Sequence, residues 1–233
     1  MIGKQTVLSF INDLGHTYVQ KGFTSTQKGM VLKYKVPDND FVLIIKFHVI
    51  HNEGKGSVSF SCAIMVLSEQ LKEWRLKNYR SRDLAIDTVF VTQLQDVIPQ
   101  FPKKFNWEIT QKNIQEFKQI VQDLLLTYVN PLLNFFLNKQ ILIEYIIKNG
   151  WRLNEYMLSK NFIYPVDFMC CFATYEQSVQ GFNNYLKREG LVQQAKRVYK
   201  EINSPKYKGF ISSDAIEDKV FQLAYLHKIP IIS

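Results

Sequence analysis

The densest collection of side chains able to do chemistry lies between Glu73 and Asp83, in the stretch "EWRLKNYRSRD". Arg75, Lys77, Arg80 and Arg82 supply four cations there, with Trp74 and Tyr79 among them. Guanidinium groups present planar, paired donors to phosphate or carboxylate, and aromatic rings stack on bases or anchor protein interfaces. Trp74, Arg75, Lys77, Tyr79, Arg80 and Arg82 are therefore the candidate partner-binding residues. Lys103 and Lys104 follow, and a second basic set comprises Lys187, Arg188, Lys196, Arg197, Lys200, Lys206 and Lys208. Plain solvation competes with binding for both sets. Lys196, Arg197 and Lys200 fall on the polar side of a helical pattern whose other side carries Val192, Ala195, Val198, Tyr199 and Ile202. In the first set, Trp74 can bury itself under the sheet while Arg75 and Lys77 stay in water.

Other chemistries find less support. The glycines of "EGKG" at 53–56 join two strand-like runs, whereas a phosphate loop needs them between a strand and a helix. His48 and His51, with Glu53 beyond, are three apart on a strand and point to opposite faces, so they do not converge on a metal. No Gly-x-Ser-x-Gly elbow or local cysteine signature marks a nucleophile. Asp38 with Asp40 belongs to a turn, and Glu217 with Asp218 opens a helix, where negative charge suits the macrodipole. No catalytic, cofactor-binding or metal residue is assigned, and an active site gathered from distant positions stays open.

These side chains are carried by two kinds of pattern. Val7, Phe10, Ile11, Leu14 and Tyr18 follow the spacing of an amphipathic helix that stops near Gly22. Strand-like runs cover Met30–Val36, Phe41–Ile50 and Ser57–Leu67, separated by Pro37-Asp38-Asn39-Asp40 and by His51–Gly56. "TVFVTQL" after Asp87 and a short run at Trp107–Thr110 extend the set. The stretch from Ser68 to Asp87 reads as a helix end and connector within the first domain. Beyond Asn106 the period becomes helical: one helix through Ile114 to Tyr128, a break at Asn130-Pro131, then a run from Leu132 to Lys148. Further helices are expected at about 165–174, 176–189, 191–202 and 213–227. The fold class is α+β, an antiparallel sheet of about four to five strands with an N-terminal helix and long following helices, then an all-helical C-terminal half. The expected division is an α+β domain at 1–136 and a helical subdomain at 137–233 packed on it.

The formal charge is +8, which favours anionic partners without naming one. Polar residues interrupt the apolar region from Leu124 to Ile147 at Thr127, Asn130, Asn134, Asn138, Lys139 and Glu144, so no membrane span is expected. No signal peptide is read at the start. Cys62, Cys170 and Cys171 are an odd, badly spaced set for disulfides, and the expectation is a reduced, cytoplasmic chain with no cofactor.

Three phrases add a resemblance. "YVQKGFTSTQKG" at 18–29 ends an opening helix, "FVLIIKFHVI" at 41–50 is the core of a strand meander, and "FNWEIT" at 105–110 leads into a long helix. Over residues 3–136 the chain resembles a loosely defined family of uncharacterised bacterial proteins, some of which are associated with polymorphic toxins as immunity proteins. The resemblance implies a non-enzymatic interaction protein, with toxin neutralisation as one role, and carries over no functional residue. The leading expectation is a cytoplasmic protein–protein interaction module whose partner presents an acidic surface, without a membrane. A nucleic-acid binder using the same basic strip, and an enzyme with a dispersed site, are the alternatives.

Overall fold

A computed structural model of the chain describes residues 2–52, 54–79, 84–99, 107–157, 161–204 and 216–232. In chain order the elements are α1 (Lys4–Gln20), β1 (Thr24–Thr26), β2 (Val31–Lys35), β3 (Phe41–Asn52), β4 (Ser57–Ser68), α2 (Glu69–Asn78), β5 (Thr88–Gln93), β6 (Glu108–Ile109), α3 (Ile114–Leu124), α4 (Asn130–Leu137), α5 (Lys139–Asn149), α6 (Pro165–Phe172), α7 (Tyr175–Arg188), α8 (Val192–Ile202) and α9 (Ile216–Leu226). The fold is α+β. Two compact units interleave along the chain. Unit 1 comprises Met1–Ser68, Phe90–Leu137 and Asn154–Met157, and unit 2 comprises Glu69–Val89, Asn138–Leu153 and Leu158–Ser233. A single cut at 136/137 therefore describes the grouping incompletely, because 69–89 join the later helices and 154–157 the earlier sheet.

Unit 1 is built on an antiparallel sheet ordered β1-β2-β3-β4-β5, with β6 also paired to β4. β3 and β4 pair along their whole length, from Phe41 opposite Ser68 to Asn52 opposite Ser57. That register puts Phe41, Leu43, Ile45, Phe47, Phe60, Cys62, Ile64 and Val66 on one face, and all of them are buried. Phe60 lies at its centre, with ring centroids 5.6 Å from Phe10 of α1, 5.7 Å from Phe117 of α3, 6.1 Å from Phe47 and 6.3 Å from Trp107. β1 is a strand the sequence pattern does not reveal, because all three of its residues are exposed and none is apolar. Backbone pairing with β2 holds it, and the Thr26 hydroxyl adds a hydrogen bond to the Val31 carbonyl.

The expected break at Asn130-Pro131 does not occur. Helix continues from α3 through a π-helical turn at Leu125–Val129 into α4. A proline ring clashes with the carbonyl four residues back, here Thr127, and lacks the N–H of the next rung. The widened turn directly upstream accommodates both defects without ending the helix. The chain breaks instead at Asn138, which is extended and accepts hydrogen bonds from the N–H groups of Gln140 and Ile141 as the N-cap of α5. The run Ile114–Leu137 is thus 24 residues, and its most apolar 18-residue window has a mean hydropathy of 1.3, which makes it long and apolar enough to cross a membrane by length and composition alone. Within unit 1 its Phe117, Val121, Leu124, Val129 and Phe136 are buried, with Phe117 and Phe136 against the phenylalanines of the sheet.

Unit 2 gathers α2 with α5–α9. Thr174 and Gln177 form a reciprocal capping box at the start of α7. Asn184 donates to the Ile147 carbonyl at 2.8 Å, tying α7 to α5. The C-terminal segment is held by side chains: Tyr199 donates to the Ile229 carbonyl and Asn183 to that of Pro230.

Candidate functional site

The buried stripe of α2 is Leu71 and Arg75, four residues apart, and Tyr79 continues it one step beyond the helix end. An arginine in that stripe enters the interior with its charge. Arg75 is fully buried, and its guanidinium is fixed from several sides. Nε donates to Asp167 Oδ2 at 2.9 Å, Nη1 to the carbonyls of Ile86 and Thr88 at 2.7 and 3.1 Å, and Nη2 to the Ile163 carbonyl at 3.0 Å. The Tyr164 ring lies 5.4 Å from the guanidinium carbon. Tyr164 has a left-handed backbone, φ +49°, and precedes Pro165 at the start of α6. A non-glycine residue there is strained, and the Ile163 carbonyl bond with the ring contact holds it.

Asp167, one turn into α6, is equally inaccessible. Its Oδ1 accepts from the Tyr79 hydroxyl at 2.5 Å. The phenol has one proton, which goes to the carboxylate, so the 2.7 Å contact between Tyr79 Oη and His227 Nε2 requires the imidazole to donate. His227, just past α9, also lies 5.1 Å from the Trp74 ring. One cluster therefore joins α2, α6 and the end of α9 through His227, Tyr79, Asp167 and Arg75 in order.

Burial sets the titration of this cluster. It raises the Tyr79 phenol well above its ordinary value, and the Asp167 charge adds to the effect. It raises the Asp167 carboxyl too, against the pull of Arg75 and of the Tyr79 hydrogen bond. The neighbouring Cys170 thiol is pushed up to about 12, again mainly by burial, so it is no thiolate nucleophile at neutral pH. His227 is held below its ordinary value of 6.5 by burial. A histidine with a depressed folded-state value takes up a proton more readily when unfolded, so stability falls as pH drops below about 6.5 and levels off below the folded value. Urea unfolding at pH 7.5 and pH 5.5 is expected to show a smaller loss of stability in His227→Gln than in the unsubstituted chain, since Gln keeps the donor and removes the titration. Equal losses in the two proteins would show that His227 is not the acid-sensitive group.

The candidate partner-binding residues thus separate. Arg75 is not available to a partner, because packing buries it and its donors are engaged internally. Tyr79 turns its hydroxyl inward, Trp74 is half-buried, and Lys77 is exposed. Arg80 and Arg82 lie outside the described residues, as do Lys103, Lys104, Lys206 and Lys208. Lys187, Arg188, Lys196, Arg197 and Lys200 are exposed, and Arg197 faces Glu201 at 3.8 Å one turn on. That side of α8 is a solvated face opposite buried Ala195 and Val198. His48 pairs with Ser61 and His51 with Val58, on opposite faces of the sheet. Among the described residues no three of His, Cys, Asp and Glu gather into a set able to hold a metal. A groove of about 420 Å³ in unit 2 is lined by Tyr175, Val179, Asn183, Lys187, Pro230 and Ile232. The Asn183 amide inside it is engaged, donating to the Val179 and Pro230 carbonyls and accepting from the Ile232 N–H.

Sequence reasoning missed Asp167 and His227. Asp167 is the single charged residue in "PVDFMCCF", an acid inside an apolar helix, and such a residue implies a buried cation elsewhere. His227 gives no local signal. Comparison with family models, with curated proteins and with solved structures found no match to this chain.

Proposed function

We propose that the chain is a non-enzymatic protein–protein interaction module whose partner presents an acidic surface. The observation that carries this reading is the outward side of α2. The helix turns Arg75 inward, while Leu76 is 48% exposed, Lys77 is exposed, and Trp74 is half-buried against His227. A firmly seated tryptophan is among the residue types that dominate binding energy at interfaces, and Leu76 and Lys77 place apolar area and a positive charge beside it. The titratable groups beneath are bonded to one another, which supports a scaffolding role for them over an acid–base one. Toxin neutralisation in a bacterial cytoplasm is the particular role that the family resemblance adds to the proposal.

The test is affinity capture of the tagged chain from its native cells with and without nuclease, read by mass spectrometry. A stoichiometric protein that survives nuclease and is weakened about tenfold or more by Lys77→Glu or Trp74→Ala is the expected result. Capture lost on nuclease treatment, with affinity falling steeply as salt rises, would replace this reading with phosphate binding.

A further inference from the structure

The sheet of unit 1 has a second face, and its composition differs from the first. The register places Val31, Lys33 and Lys35 of β2 beside Lys46, Ile44 and Val42 of β3, and these beside Ala63, Met65 and Leu67 of β4. The named contacts of the unit 1 helices reach the opposite face: α1 through Phe10 on Phe60 and Gly15 against Leu32, α3 through Phe117 on Phe60, α4 through Phe136 on Phe41. On the second face Lys33 and Lys35 are exposed, Val42, Lys46, Met65 and Leu67 are half-buried, and Val31, Ile44 and Ala63 are buried between their neighbours. Further along β3, His48 is exposed and Ile50 is 68% exposed.

Charge and shape on this face point one way. Lys33, Lys35 and Lys46 form no ion pair among the described residues. The register puts one carboxylate there, Glu108 opposite Ser59 at the far end of β4. Three cations therefore border an aliphatic strip made by Val42, Ile44, Met65 and Leu67. Lysines two apart on a strand are about 7 Å apart, and carboxylates at i and i+4 along a helix flank are about 6 Å apart. A sheet face of this kind is ordinarily covered by a helix that lays its apolar stripe on it. His48 carries the one aromatic ring on this face between Val31 and Leu67 in the paired register, so the face has no Phe, Tyr or Trp platform on which successive bases could stack.

We infer that the Lys33–Lys35–Lys46 face of β2–β4 is a docking surface for an acidic amphipathic helix of a partner protein. The helix seats its aliphatic stripe on Val42, Met65 and Leu67, around the buried Ile44, and turns a flank of glutamates or aspartates to the three lysines. This surface belongs to unit 1 and does not depend on the reading of α2 in unit 2.

A fluorescein-labelled amphipathic peptide of about 18 residues, five helical turns with leucines on one side and glutamates flanking them, is the probe. Its anisotropy is followed as the full-length chain is added. Saturable binding that weakens about tenfold or more in the Lys33→Glu/Lys35→Glu double variant, and not in Lys77→Glu, is the expected result. Thermal unfolding by circular dichroism checks that the double variant keeps its fold, as surface charge reversals should. The proposal is overturned if the peptide does not bind, if the double variant binds it unchanged, or if a version with lysines for glutamates binds as well. It is equally overturned if an oligothymidylate or phosphatidylglycerol vesicles bind this face while the acidic peptide does not.

Discussion

Asp167→Ala is expected to lower the unfolding free energy of unit 2 by about 3–5 kcal/mol, an effect that follows from what remains behind. Arg75 keeps its charge at any accessible pH, and its guanidinium would stay fully buried beside carbonyls with no counter-charge. The Tyr79 hydroxyl would lose its acceptor in the same substitution. Arg75→Met with Asp167→Leu removes both charges together, and the double variant is expected to be more stable than Asp167→Ala. The comparison separates the penalty of an orphaned charge from the net worth of the pair, which for buried ion pairs is often near zero. Urea unfolding followed by tryptophan fluorescence reads the change, because Trp74 and Trp151 both belong to unit 2 and Trp74 packs on the cluster through His227 and Tyr79. A loss below about 1 kcal/mol for Asp167→Ala would mean that water or a rearranged side chain relieves Arg75, and the cluster would then not be what fastens α2 to α6.

The same cluster shows where sequence reasoning stops. The i, i+4 step from Leu71 to Arg75 to Tyr79 is present in the letters, but an arginine there reads as a partner-binding or solvated side chain, because a buried one is rare without a partner. The partner is 92 residues further on. Nothing local connects "EWRLKNY" with "PVDF", and His227 lies further still. Pairings of this kind belong to tertiary packing, which composition and period do not encode. The sheet is legible for the opposite reason: β3 is a nearly continuous apolar and β-branched run and β4 opens with serines alternating with apolar residues, both bounded by turn residues, and the register follows once one face must be buried. β1, with three polar residues, carries no such signal. Helix continues through Pro131 because the rule that proline ends helices assumes regular α geometry upstream, and the π turn at Leu125–Val129 relaxes that assumption. The break falls at Asn138, whose side chain caps the next helix.

Within unit 1 the largest expected effect is that of Phe60→Ala, a loss of about 3–5 kcal/mol. Phe60 is 3% exposed, and its ring touches α1, α3, β3 and the segment entering β6 together. Truncation removes the transfer free energy of the ring and opens a cavity that the surrounding strands are poorly able to close. β4 is paired on one side with β3 along twelve residues and near Phe60 with β6, so its backbone cannot move inward without breaking ladder bonds. Phe10 and Phe117 are themselves 6.0 Å apart, which makes the three rings a single packed group. Phe117→Ala is therefore expected to be costly alone, and the Phe60→Ala/Phe117→Ala double variant to lose less than the sum of the two, since residues in contact share the energy each single deletion removes. Phe60→Leu should cost much less than Phe60→Ala, because it keeps most of the apolar volume. Trp107 packs against both rings and reports the transition of this unit by fluorescence once Trp74 and Trp151 are replaced by phenylalanine. Strict additivity of the two alanine substitutions would show the rings to be independent, and the helices would then be held to the sheet by contacts other than this group.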